Sequence, residues 1–168
     1  MDNILAEIDL SNQINNSWNK DSVLALKKSR KSLAIKIRTS DKKGLKRKFI
    51  WETEDEKNKK HNQRVITIIY CFMLYKLIKK SGEYSKNIRI CNDAGPRWAI
   101  NKYLNAILRY FNEKPIGEEF RLKFRREGDL RSPAHNLAKK VMKGRRKEDF
   151  IITKKEIIEL EDIIRKIL

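Results

Sequence analysis

A chain of 168 residues has room for one domain with a single core. Its apolar content of 40% and charged content of 37% are those of a globular protein and exclude a disordered one. The formal net charge of +18 opposes a compact state unless it serves solubility or an acidic partner. Nucleic acid is the expected partner, and an anionic membrane surface is the second.

The two cysteines, Cys71 and Cys91, lie far apart with no C-x-x-C spacing, which argues against a zinc site or a disulfide framework. Both stand in apolar runs, so buried free thiols in a reducing compartment are expected. The start, "MDNILAEIDL", puts acids where a secretory signal needs positive charge. The longest apolar run, residues 65–78, has 14 residues and is too short to span a bilayer. An intracellular, cytoplasmic protein with no membrane partner follows as the expectation.

In chain order, "ILAEIDL" (4–10) alternates as a strand, with Ile4, Ala6, Ile8 and Leu10 on one face and Leu5, Glu7 and Asp9 on the other. "SVLALKK" (22–28) reads equally as a strand or a helical turn. "SLAIKIRT" (32–39) and "LKRKFIWE" (45–52) both alternate, and "SDKKG" between them has turn chemistry, so they are expected to form a hairpin. Residues 52–63 read as a polar loop. From there to Lys80, apolar residues at spacings of three and four predict a buried helix, ended by Gly82. "NIRICN" (87–92) is a short strand. Pro96 then opens a helix with Ile100, Leu104, Ile107, Leu108 and Phe111 on one face. "EFRLKFRR" (119–126) alternates as a strand, and Ser132 and Pro133 start a helix carrying Leu137 and Val141. "TKKE" (153–156) is a capping box before an amphipathic C-terminal helix. Antiparallel strands first, then helices and strands in alternation, imply an α/β fold with a mixed sheet. Residues 1–147 form the expected domain, and residues 148–168 an extension.

This order resembles the type 1 ribonuclease H fold, and four local matches strengthen the likeness. "EIDLS" (7–11) is similar to the family's first strand, which carries a catalytic aspartate, here Asp9. "HNQRV" (61–65) resembles the start of its first helix, with Val65 in the place of the catalytic glutamate. "IRICNDAG" (88–95) resembles the fourth strand, which ends in the second catalytic aspartate, here Asp93. "RREGDLRSPAHNLAKK" (125–140) is similar to the fifth strand and the last helix, and His135 falls on the family's last carboxylate.

The resemblance implies two Mg²⁺ or Mn²⁺ ions, held ~4 Å apart by shared carboxylates, that activate water and stabilise the leaving oxygen. Asp9 and Asp93, at the ends of neighbouring strands, are the metal candidates, and Asp9, Asp93 and His135 the catalytic ones. Imidazole ligates transition metals more readily than Mg²⁺, and His135 reads equally as a residue that caps or packs its helix. Glu7, Glu52, Glu54, Asp55 and Glu56 are the acids that could substitute for the glutamate missing at Val65. The resemblance further implies that Val65, rather than His135, limits hydrolysis.

Residues 27–48 hold eleven Lys or Arg against one acid, Asp41. Lys42, Lys43, Lys46 and Arg47 in that segment, with Lys139, Lys140, Arg145 and Arg146 beyond the helix start that carries His135, are the expected phosphate contacts. Arg121, Lys123, Arg125 and Arg126 add a third basic run. Trp18 and Trp51 are candidates for base stacking, whereas Trp98, on a helix after Pro96, is expected to pack. The expected function is a ribonuclease H-like protein that binds RNA/DNA hybrid or structured RNA, with weak or absent hydrolysis. An active two-metal ribonuclease H is the alternative. An assembly module docking through Ile157, Leu160, Ile164 and Ile167 of the last helix, and so an oligomer, is the third.

Overall fold

Period-two alternation makes the first strand. Ala6, Ile8 and Leu10 face a large apolar core, while Glu7, Asp9 and Ser11 face the other way. The computed structural model describes residues 6–11, 14, 18–52, 55–82, 87–91, 94–118, 121–125 and 133–168. Among them, strands β1 (Ala6–Ser11), β2 (Ser22–Lys28), β3 (Lys31–Ile37), β4 (Asn87–Ile90), β5 (Arg121–Phe124) and β6 (Phe150–Ile151) form one mixed sheet, in the order β5-β4-β1-β2-β3-β6. β1, β2 and β3 are antiparallel neighbours, β4 lies parallel to β1, and β5 parallel to β4. The expected α/β class with a mixed sheet is the one observed. Ile4 and Leu5 of the first expected strand lie outside the described residues.

The hairpin forms one strand earlier than the sequence suggests. "SVLALKK" is β2, and it turns into β3 through Ser29 and Arg30, with Ser29 in the left-handed region at φ 50. The expected return strand, residues 45–52, is not one: α1 (Thr39–Phe49) occupies that segment. Leu45 and Lys42 are buried at helical spacing, Asp41 stands in the first turn and three cations in the last, all favourable to a helix. The outer edge of β3 is instead covered by β6, a parallel two-residue strand with no signal in the sequence.

Asp55 caps α2 (Glu56–Ser81), its side chain accepting from Lys57 N, and Gly82 ends it at φ 71. The helix therefore begins inside the expected polar loop. Its first two turns are mostly exposed, and every residue from Val65 to Tyr75 is buried. Burial on all sides follows from its position between the sheet, α3 (Arg97–Tyr110) and α5 (Lys154–Ile167). Thr153 and Glu156 close the capping box of α5 reciprocally. Ile157, Leu160, Ile163 and Ile164 of α5 belong to the same core as α2 and α3. The face expected to dock a partner is thus occupied within the chain, and residues 150–167 share the core of the preceding domain.

Among the described residues, the helix on the opposite face of the sheet is α4 (Pro133–Met142). Leu137, Ala138 and Val141 rest there on Val23, Ala25 and Ala34. No helix among the described residues is long and apolar enough to cross a membrane. Cys71 and Cys91 are both buried, and neither forms a disulfide among the described residues.

Candidate functional site

Small residues bring the site together. Asp9 pairs with Ala25 across β2, and Ala25 pairs with Ala34, so Asp9 heads a row of two alanines on the α4 face. Ala134 and Ala138 are the fully buried residues of α4. Four short side chains let the helix approach closely, and its first turn then carries His135 to Asp9. His135 Nδ1 lies 3.4 Å from Asp9 Oδ2, and Arg125 Nη1, at the exit of β5, lies 3.8 Å from the same oxygen.

Asp9 is only 2% exposed. Its Oδ1 accepts from Leu10 N at 2.8 Å, while Oδ2 is buried without a hydrogen bond among the described residues. An ionised carboxylate in that position needs compensating charge nearby, and Arg125 supplies a permanent cation. Glu7, two residues earlier on the same face, is paired through Oε1 with Arg89 of the neighbouring strand.

β4 runs beside β1, with Ile90 opposite Ile8 and Cys91 N donating to Ile8 O at 3.4 Å. The two strands expected to carry the aspartates are therefore parallel neighbours. Asp93 itself lies outside the described residues, as do Glu54, Arg126 and Ser132. The chain that follows Asp93 is held by α2: Thr67 Oγ1 and Gln63 Nε2 donate to Ala94 O at 2.8 and 3.1 Å. Gly95, at φ 153, passes so close that a Cβ would stand 2.7 Å from Thr67 Oγ1. Tyr70, also on α2, donates its hydroxyl to Cys91 O at 3.2 Å. Burial, then the adjacent Cys91, holds the Tyr70 phenol well above its ordinary pKa, so it remains a donor.

Val65 is not at this site. It is completely buried in the large core, on the face of the sheet opposite Asp9. Of the other substitute acids, Glu52 and Glu56 are exposed, and Asp55 is committed to capping α2. Among the described residues no three His, Cys, Asp or Glu side chains converge. Among the described residues, Asp9 is the carboxylate that the imidazole and the guanidinium face, and a pair of Mg²⁺ ions would need further oxygen ligands there.

The basic residues divide into two kinds. Lys43 and Arg47 are exposed and Lys46 half-buried on α1, where they border a cleft of about 490 Å³ with Trp18 and Asn19. Lys139, Lys140 and Arg145 are exposed at the far end of α4. Lys42 does not join them. It is fully buried, with Nζ donating to Ser22 Oγ at 2.7 Å and Lys20 O at 3.0 Å. Burial pushes its ammonium down to about 8, with Asp21 pulling the other way. Arg146 is likewise structural: it donates to Ser32 O at 3.0 Å and to Asp149 Oδ2 at 3.1 Å, tying the loop after α4 to β3.

Ser11 pairs with Val23, and Ser22 with Ile37, so β3 leaves the sheet at the same end as β1. The basic helix α1 therefore starts at the end of the sheet that carries Asp9. Trp51 is 46% exposed but stacks on His61 at 3.6 Å. Trp98, expected to pack, is 65% exposed. Comparison with family models, with curated proteins and with solved structures finds no match for this chain.

Proposed function

We propose that this chain is a ribonuclease H-like nucleic-acid-binding protein, directed at RNA/DNA hybrid or structured RNA, in which metal-dependent hydrolysis is weak or absent. The strand order supports the reading, since an antiparallel β1–β2–β3 set is followed by β4 and β5, with β4 beside β1. The observation that carries it is the company of Asp9. Asp9, which this reading takes for the family's first aspartate, is buried on β1 beside the strand leading to Asp93, and His135 Nδ1 and Arg125 Nη1 lie 3.4 and 3.8 Å from its Oδ2. A built-in guanidinium does for Asp9 what a divalent ion does in a hydrolase, so the polyanion surface is kept while the ion pair is weakened. The exposed cations of α1 and α4 supply phosphate contacts, and recognition goes by backbone shape and 2′-hydroxyls.

One observation favours the active enzyme as second reading: Asp9 Oδ2 is buried without a hydrogen-bond donor among the described residues, as a ligand oxygen would be. Fluorescence anisotropy with a labelled hybrid, paired with a gel assay in Mg²⁺ and Mn²⁺, separates the two. Binding that falls steeply with salt, with little cleavage, is the result expected. Robust cleavage lost in Asp9→Asn would establish the enzyme, and absence of binding at low salt would remove both readings.

A further inference from the structure

α2 and α3 leave a slot between their N-terminal halves, next to the turn that follows β4. Its volume is about 230 Å³, its walls are almost entirely carbon, and Trp98, Tyr103, Pro96 and Thr67 line it. That is below the size of a drug-like ligand site and suits a single ring system. Lys60 and Arg64, both exposed, stand on its α2 rim. Neither is ion-paired among the described residues. Arg97, the neighbour of Trp98, is also exposed, and its guanidinium lies 5.3 Å from the Phe124 ring of β5.

An indole 65% exposed is costly to leave in water and contributes little to the fold where it stands. Aromatic surface bordered by exposed cations matches one chemistry closely: a flat π-face with a phosphate on either side. We infer that this slot takes an unpaired nucleobase of a single-stranded segment, stacked on Trp98, with the flanking phosphates on Lys60 and Arg64. The inference rests on the nucleic-acid reading above and extends it. The strand that reaches the Asp9 end of the sheet would continue unpaired past the β4 turn, so the preferred ligand is a duplex or hybrid with a single-stranded extension.

The test uses the full chain and three fluorescein-labelled probes: a blunt hybrid, the same hybrid with a five-nucleotide single-stranded extension, and the single strand alone. Trp98→Ala should weaken the extended and single-stranded probes by roughly tenfold, as losing one base stack does, and leave the blunt hybrid unchanged. Trp98→Phe should recover most of that loss. Because Trp98 is exposed, circular dichroism of both variants should match the parent. Equal binding of all probes by parent and Trp98→Ala overturns the slot while leaving the nucleic-acid reading intact. A parent that binds none of the three probes overturns both. Unchanged probe binding with loss of an oligomer in light scattering would make the slot a protein contact, which also overturns the inference.

Discussion

The two faces of the sheet are built on opposite plans. One is covered by α2, α3 and α5, and its core runs without a break from Ala6 to Ile164 through large aliphatic and aromatic side chains. The other, among the described residues, is covered by α4, over a cluster of six residues of which three are alanines, and it carries the charged row of Glu7 and Asp9. The thick face supplies most of the stabilising burial. The thin face is where a carboxylate can be buried with partners, because short side chains leave room for them. Val65 and Asp9, aligned with two carboxylates of one family, therefore fall under different rules.

The largest effect should come from forcing the thin-face chemistry onto the thick face. Val65→Glu places a carboxylate in an apolar interior with no cation to meet it, and should cost on the order of 3–5 kcal/mol in urea denaturation, with no gain in cleavage. A stable Val65→Glu protein that cuts a hybrid would show that the two faces communicate at this position. Next comes the seam where α2 holds the β4 turn. Gly95→Ala should cost roughly 2–3 kcal/mol, since the added Cβ meets Thr67. In a Thr67→Ala background the cost of Gly95→Ala should shrink, and a double-mutant cycle measures the difference.

Lys42, at the start of the basic helix, gives a pH signature. Its folded-state pKa of about 8 lies below the ordinary 10.5, so the folded protein releases this proton before the unfolded chain does. Stability should accordingly rise as pH climbs from about 8 to 10.5, and the rise should be missing in Lys42→Met. The difference should be on the order of 2 kcal/mol after screening by water, read from urea midpoints at the two ends of that window. The smallest effect sharpens the thin face itself. Ala25→Leu should lift α4 from the sheet at a cost of about 1–2 kcal/mol. It should also uncouple His135 from Asp9, so that Asp9→Asn no longer perturbs the His135 ring resonances in NMR spectra.

Strong periodicity made much of this molecule legible in its sequence. The alternation of β1, the apolar spacing of α2 and α3, and the Thr153–Glu156 box each name their element. Residues 45–52 misled because Leu45, Arg47, Phe49 and Trp51 alternate as well as any strand. What decides is a partner, and β6, two residues long, takes the edge of β3 on which the hairpin would have depended. At the site, His135 was legible because a motif fixed its place on the first turn of α4. Arg125 was visible only as one more cation in a basic run. Its role depends on β5 ending beside β4, a long-range fact with no local trace. Trp98 was misplaced for a related reason: being on an amphipathic helix does not say which residues of the first turn face inward, and Ala99 and Ile100 took the inward positions. Lys42 is the converse, a cation in a basic run that the fold draws inside.

The edge strand β6 and the helix α5 have a consequence for the order of synthesis. A ribosome releases β3 more than a hundred residues before Phe150 and Ile151, so the nascent sheet spends that interval with an open edge. Throughout it, the flank of α2 that α5 later covers is also bare, on the described helix with the most buried residues. The dense positive charge of α1, next along the chain from that edge, keeps nascent copies apart during the wait, and so acts as a gatekeeper against aggregation before it meets any ligand.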